Sequence, residues 1–154
     1  MGTSIKKGFD TMNPKNNERN QLRIGDVCWM KFDGVDSEQQ GVRPGVVFQN
    51  NLGNVHSPNI IALPLTTTVK PRRLPTHVPV TKECHGLKAD STILCENPQR
   101  MSKRRVFSKM ARLDVETMKQ VAVSSMLASG AVAYLTQTEL VAAWQEAKRL
   151  NGIS

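Results

Sequence analysis

Hydrophobic and polar positions alternate in short runs over the first two thirds of the chain and change to helical spacing in the last third. The first run opens after Gly25-Asp26. Val27 and Trp29 fall on one face of a predicted strand, Cys28 and Met30 on the other. Asp33-Gly34-Val35-Asp36 then turns the chain into a polar, glycine-containing loop from Ser37 to Gly45, which feeds a compact apolar strand, Val46-Val47-Phe48. Asn50, Asn51, Gly53 and Asn54 make a dense turn signal. A third strand runs from Asn59 through Leu65 and ends in Thr66-Thr67-Thr68. Pro64 has no N–H for a ladder, which predicts an edge or a bulge there. Thr76–Val80 and Asp90–Cys95 supply two more short strands.

Helical spacing takes over at Asp114, an N-cap candidate with Glu116 in the first turn. Met118, Val121, Ala122 and Met126 form a stripe read as core, and Gly130 is a natural stop. A second helix opens with the capping-box pattern of Thr136 and Glu139. Leu140, Ala143, Trp144, Ala147 and Leu150 line one face of it; packing of Trp144 on the barrel is the expectation, with a dimer contact or partner recognition as other uses. The fold class is therefore α+β, mainly β: a small, partly open barrel followed by a C-terminal helix and an additional C-terminal helical extension. Three segments are expected: a flexible leader over 1–22, a barrel domain over 23–130 and the extension over 131–154.

Composition changes the picture in three ways. With 154 residues, 39% of them hydrophobic, the chain suits one domain whose core is aliphatic. No apolar run reaches the roughly 18 to 20 residues of a membrane helix, and the N-terminus lacks the apolar centre of a secretory signal. A soluble, cytoplasmic protein is expected. Cys28, Cys84 and Cys95 are odd in number and widely spaced, against a disulfide framework and against a zinc site, so no metal and no cofactor are expected.

Charge points to an acidic partner, nucleic acid first. Of the net +8, the tail through Arg23 carries five cations against two acids, or +3, leaving +5 on the rest. Lys70, Arg72 and Arg73 mark a basic turn. Arg100, Lys103, Arg104, Arg105, Lys109 and Arg112 form a segment without an acid, either a solvated face or a surface that tracks phosphates. Arg43 precedes Pro44, which holds the backbone before it extended, and Gly41 and Gly45 leave little bulk around it. A guanidinium so placed can offer a fork of donors to phosphate oxygens; it serves equally as a surface arginine at a strand start.

Taken in order, GDVCWMKF, SEQQGVRPGVVFQNN, SPNIIALPLTT, LPTHVPV, DSTILCENPQRMSKRRV and the RLD before the helix resemble the MazF/PemK toxins, the endoribonuclease halves of type II toxin–antitoxin pairs. The resemblance runs from about Ile24 to Gly130 and implies an SH3-like barrel working as a homodimer. It also implies metal-free cleavage of single-stranded RNA within a short sequence, and an acidic cognate antitoxin as partner. Carried over by motif, the catalytic residues are Arg43 and Thr66. Ser37, Glu38 and Gln39 match the loop that contacts RNA, with Glu38 as proton acceptor or as orienting group. Lys70, Arg72, Arg73, Arg100, Lys103 and Arg104 are the expected RNA-binding cations. His56, His77 and His85 fall outside the catalytic motifs and are expected to be structural or surface groups. The alternative keeps the fold and drops catalysis, as in the gyrase-poisoning CcdB toxins.

Overall fold

The computed structural model describes residues 21–34, 41–68 and 74–153, apart from the side chains of Cys84 and His85. Seven strands are found there: β1 (Asp26–Phe32), β2 (Gly41–Val47), β3 (Asn59–Thr66), β4 (His77–Val80), β5 (Ser91–Leu94), β6 (Gln99–Ser102) and β7 (Val106–Arg112). They pair in the order β4-β5-β3-β2-β1-β7, with β6 also on β3. All recorded pairings are antiparallel. Among the described residues β4 and β7, the two ends of this path, do not pair. The barrel is open.

Alternation along the strands divides the interior in two. Val27, Val46, Leu63, Leu65, Val78 and Ile93 point into one cluster, whose remaining members include Val121 of the first long helix. Their neighbours Cys28, Met30, Phe32, Val47, Ile60 and Ala62 point into the other. Both faces of β1 and β3 are thus buried, as central strands require.

Four local features depart from the sequence reading. β2 starts at Gly41, so Arg43 lies within a strand and not in a loop at its mouth. The turn signal at Asn50 opens a short helix, α1 (Asn51–His56), because the Asn50 side chain accepts the Gly53 N–H at 2.9 Å. Pro64 sits on a central strand, with β2 on one side and β5 and β6 on the other. It is tolerated there because the β2 ladder ends at the Gly45–Pro64 pair, where no donor is needed. The basic segment after Pro98 is neither turn nor plain solvated face: it folds as β6 and β7 around a 3-10 turn at Lys103–Arg105, with Met101 and Val106 turned inward.

A second short helix, α2 (Lys82–His85), follows β4. The first long helix, α3 (Val115–Ser129), begins at the predicted cap: the Asp114 side chain accepts the Thr117 N–H at 2.7 Å. Its stripe is only partly core. Met118 and Val121 pack inward with Thr117 and Ser124, whereas Met126 is exposed. The second long helix, α4 (Gln137–Leu150), carries the predicted capping box but buries none of its residues. Trp144 is 57% exposed, so its expected packing on the barrel does not occur within the chain.

Candidate functional site

Arg43 and Thr66 lie two residues beyond the last recorded pair of the β2–β3 ladder. β2 and β3 pair at Val47–Ala62, Val46–Leu63 and Gly45–Pro64, where the ladder stops. Continuing that register by two residues sets Arg43 opposite Thr66, on the same face. Pro44 and Pro64 both lack an N–H, so neither can carry the ladder further on its own strand. Past that point β2 carries the half-buried Arg43 and β3 carries the Thr66 hydroxyl. Arg43 is held from its other side by pairing with Met30 of β1. Thr66 is 8% exposed, and its hydroxyl oxygen accepts the Thr68 N–H at 3.2 Å. That contact uses a lone pair and leaves the hydroxyl proton for another acceptor.

The same row continues across the sheet, for Thr66 pairs with Thr92 of β5, and Thr92 with Pro79 of β4. A pocket of about 270 Å³ opens here, walled by Thr66, Thr68, His77, Asp90, Ser91 and Thr92 among others. His77 is buried, with its Nε2 2.8 Å from Glu96 Oε1, in keeping with the structural role expected of it. His56 ends α1 and is exposed. The sequence reading passed over Asp90, Ser91 and Thr92. Their only signal was a polar triplet at the start of a strand.

The other predicted cations lie elsewhere. Arg100 pairs with Ile61 on β3, on the face opposite Thr66 and toward the other end of the strand. Lys103 Nζ donates to the Asn54 carbonyl at 2.5 Å, and burial holds its pKa below the ordinary lysine range. Its ammonium braces α1. Arg104 is exposed on the 3-10 turn. None of the three converges with Arg43 and Thr66. Ser37, Glu38, Gln39, Lys70, Arg72 and Arg73 lie outside the described residues.

Asp26 was not anticipated. Its carboxylate is fully buried, 3.1 Å from Lys109 Nζ and 2.9 Å from Arg112 Nε, and accepts the Arg23 N–H at 2.8 Å. It ties the start of β1 to the end of β7. Arg105 pairs likewise with Asp33. Much of the basic segment is thus spent on holding the barrel. Cys28 and Cys95 are buried free thiols, and burial pushes the Cys95 pKa up to about 11, so that thiol stays protonated at neutral pH.

A larger open groove, about 1160 Å³, separates the end of α4 from the barrel. Leu22, Val55 and Leu150 contribute aliphatic surface, and Arg23, Lys109, Arg112 and Arg149 contribute cations. Asn151 closes one end, accepting the Asn51 N–H at 2.9 Å.

An open antiparallel barrel with this helix arrangement is the fold of the MazF toxins. MazF from Deinococcus radiodurans superposes with a TM-score of 0.62 at 20% identity, covering 71% of this chain and 96% of that one. An endoribonuclease solved in complex with its cognate antitoxin from a mycobacterial species gives 0.58 at 21% identity, over 71% and 96%. The family itself is established by sequence. The model for PemK-like, MazF-like toxins of type II toxin–antitoxin systems matches residues 23–125, and the chain belongs to that family. It is also 41% identical over 101 residues to Endoribonuclease EndoA of Bacillus subtilis, a match spanning 65% of this chain and 87% of that protein.

Proposed function

We propose that this toxin is a sequence-specific, metal-independent endoribonuclease that cuts single-stranded RNA through the RNA's own 2′-hydroxyl. One observation supports the reading most: the β2–β3 register, extended two residues past its last recorded pair at Gly45–Pro64, would bring the Arg43 guanidinium beside the Thr66 hydroxyl. In the reaction the 2′-oxygen attacks the adjacent phosphorus and the bond to the 5′-oxygen breaks. The 2′-proton leaves to a base, and a proton is supplied to the departing 5′-oxygen. The products are a 2′,3′-cyclic phosphate and a 5′-hydroxyl.

Arg43 neutralises the charge that grows on the non-bridging oxygens and fixes their orientation through its fork of N–H groups. A guanidinium offers donors and no acceptor, so its task is electrostatic and not that of a general base. Thr66 donates its hydroxyl proton to a phosphate oxygen. Glu38, five residues before Arg43 in sequence, is the carboxylate suited to receive the 2′-proton or to orient the guanidinium. The relation to EndoA supports this nuclease reading over the gyrase-binding alternative.

Two partners follow. A homodimer is supported by apolar side chains that the single chain leaves exposed: Val123, Met126 and Leu127 on α3 and Trp144 on α4. An acidic antitoxin segment is supported by the net charge of +8 and by the groove beside α4, where Arg23 adds to cations that are already ion-paired at Lys109, Arg112 and Arg149. No described helix is long and apolar enough to cross a membrane, and an RNA target puts the work in the cytoplasm.

The test is cleavage of a long transcript by pure protein in EDTA. Arg43→Ala and Thr66→Val are each expected to lower the rate by about a hundred- to a thousandfold with the circular dichroism spectrum unchanged. Wild-type activity in either variant removes that residue from the mechanism.

A further inference from the structure

We infer that the pocket beyond Thr66 is a subsite for one nucleobase flanking the scissile phosphate, and that it selects a base carrying an exocyclic amine over uracil. The inference rests on the nuclease reading and adds a specificity determinant to it.

Position comes first. Thr66, Thr92 and Pro79 lie in one row across β3, β5 and β4, and the β2–β3 register extended by two residues would add Arg43 to it. With about 4.8 Å between strands, Thr92 stands roughly 10 Å from Arg43 along that row. Thr66 belongs to both places: it faces the cleavage site and forms a wall of the pocket. A phosphate held at Arg43 and Thr66 therefore has an adjoining nucleotide at the pocket mouth.

Size and chemistry then narrow the occupant. At about 270 Å³ the pocket lies below the range of drug-sized ligand sites, which suits a single base and excludes a folded peptide segment. Among the described residues the charged group of its lining is the Asp90 carboxylate, which a phosphate would meet. Nor does it offer a broad aromatic platform, since His77 is its only ring and is paired to Glu96. Readout falls to hydrogen bonds on the edge of an unstacked base, the usual mode for single-stranded RNA.

Asp90 sets the sign of that readout. One carboxylate oxygen accepts the Lys82 N–H at 2.9 Å, which fixes the group against the backbone. A carboxylate has about four lone-pair sites, so acceptor capacity remains after this contact. It can receive N–H from the amino group of adenine, cytosine or guanine. Uracil presents a single donor between two carbonyl oxygens, and each of those oxygens is repelled. The hydroxyls of Thr68, Ser91 and Thr92 accept either pattern; the Ser91 hydroxyl already donates to the Ala89 carbonyl and is left with lone pairs. Discrimination therefore concentrates at Asp90.

The experiment cuts a transcript library randomised around one region and sequences the 5′ ends, for the wild type, Asp90→Asn, Asp90→Ser and Thr92→Val. The wild type should exclude uracil at one position next to the cut. Asp90→Asn, which adds an amide donor, should raise uracil at that position about tenfold and leave the preference at other positions in place. Should Asp90→Asn fail to fold, Asp90→Ser, which removes the carboxylate, is read at the same position, where it should likewise admit uracil; Thr92→Val should slow cleavage and leave the base preference in place. Wild-type cleavage with uracil accepted at every flanking position overturns the subsite, as does a cleavage profile that neither Asp90 variant changes. Absence of any cleavage by the wild type overturns the nuclease reading itself.

Discussion

Gly45→Ala tests the packing that holds Arg43 in place. A Cβ at position 45 would lie 2.7 Å from Phe32 Cζ, 2.8 Å from Met30 Sδ and 3.0 Å from Phe32 Cε2. Phe32 and Met30 are both fully buried, so neither can swing aside into solvent. Overpacking of this kind costs about 1–3 kcal/mol. With an m-value of about 2 kcal/mol/M, a loss of about 2 kcal/mol lowers the urea midpoint by about 1 M. Phe32→Leu removes the ring edge that the new methyl meets, and should cost stability by itself through lost burial. Combined with Gly45→Ala it should cost less than the sum, with a coupling above about 0.5 kcal/mol. Cleavage by Gly45→Ala should also fall, because Gly45 stands on the last rung before Arg43. Urea denaturation of the four proteins, followed by tryptophan fluorescence, measures every term. An unchanged midpoint for Gly45→Ala, or strict additivity with Phe32→Leu, would refute the argument that Gly45 serves close packing.

Removing the buried Asp26 carboxylate by Asp26→Ala should cost about 2–3 kcal/mol in the same assay. Lys109 and Arg112 are 44% and 49% exposed and can return to water, which keeps the loss below that of a wholly buried pair. Glu139 carries a pH dependence. It accepts the Thr136 N–H at 2.9 Å and caps α4, which holds its pKa below the ordinary 4.5. Since the folded pKa is depressed, the cap is fully present above the ordinary value and is lost as pH falls through the folded one. Helical circular dichroism should therefore drop on acidification more in the wild type than in Glu139→Gln, and equal drops would contradict the capping role.

How far the sequence could be read depended on how local the determining physics was. Caps are local, and Asp114 and Thr136 marked both long helices correctly. Alternation is local too, and it marked the strands from β1 to β5. The basic segment after Pro98 was harder. Its charges obscured the inward turn of Met101, and their uses at Asp26, Asp33 and Asn54 depend on partners distant in sequence. Gly45 looked like open space beside a ligand because the ring of Phe32, across the ladder, has no trace in the neighbouring residues. Pro64 looked like an edge marker, since only the full sheet order shows a ladder that ends beside it in mid-sheet. α4 misled for a different reason. Its apolar face has the spacing of a helix that packs, yet among the described residues nothing covers it.

The central claim is that the substrate's own 2′-hydroxyl attacks a phosphate held by Arg43 and Thr66. The most direct measurement uses an oligonucleotide with one 2′-deoxy residue on the 5′ side of the scissile phosphate, incubated with the toxin in EDTA. The account predicts that binding persists and cleavage at that bond stops, while the all-ribose oligonucleotide yields a 2′,3′-cyclic phosphate. Cleavage of the deoxy-substituted bond at the ribose rate would contradict it.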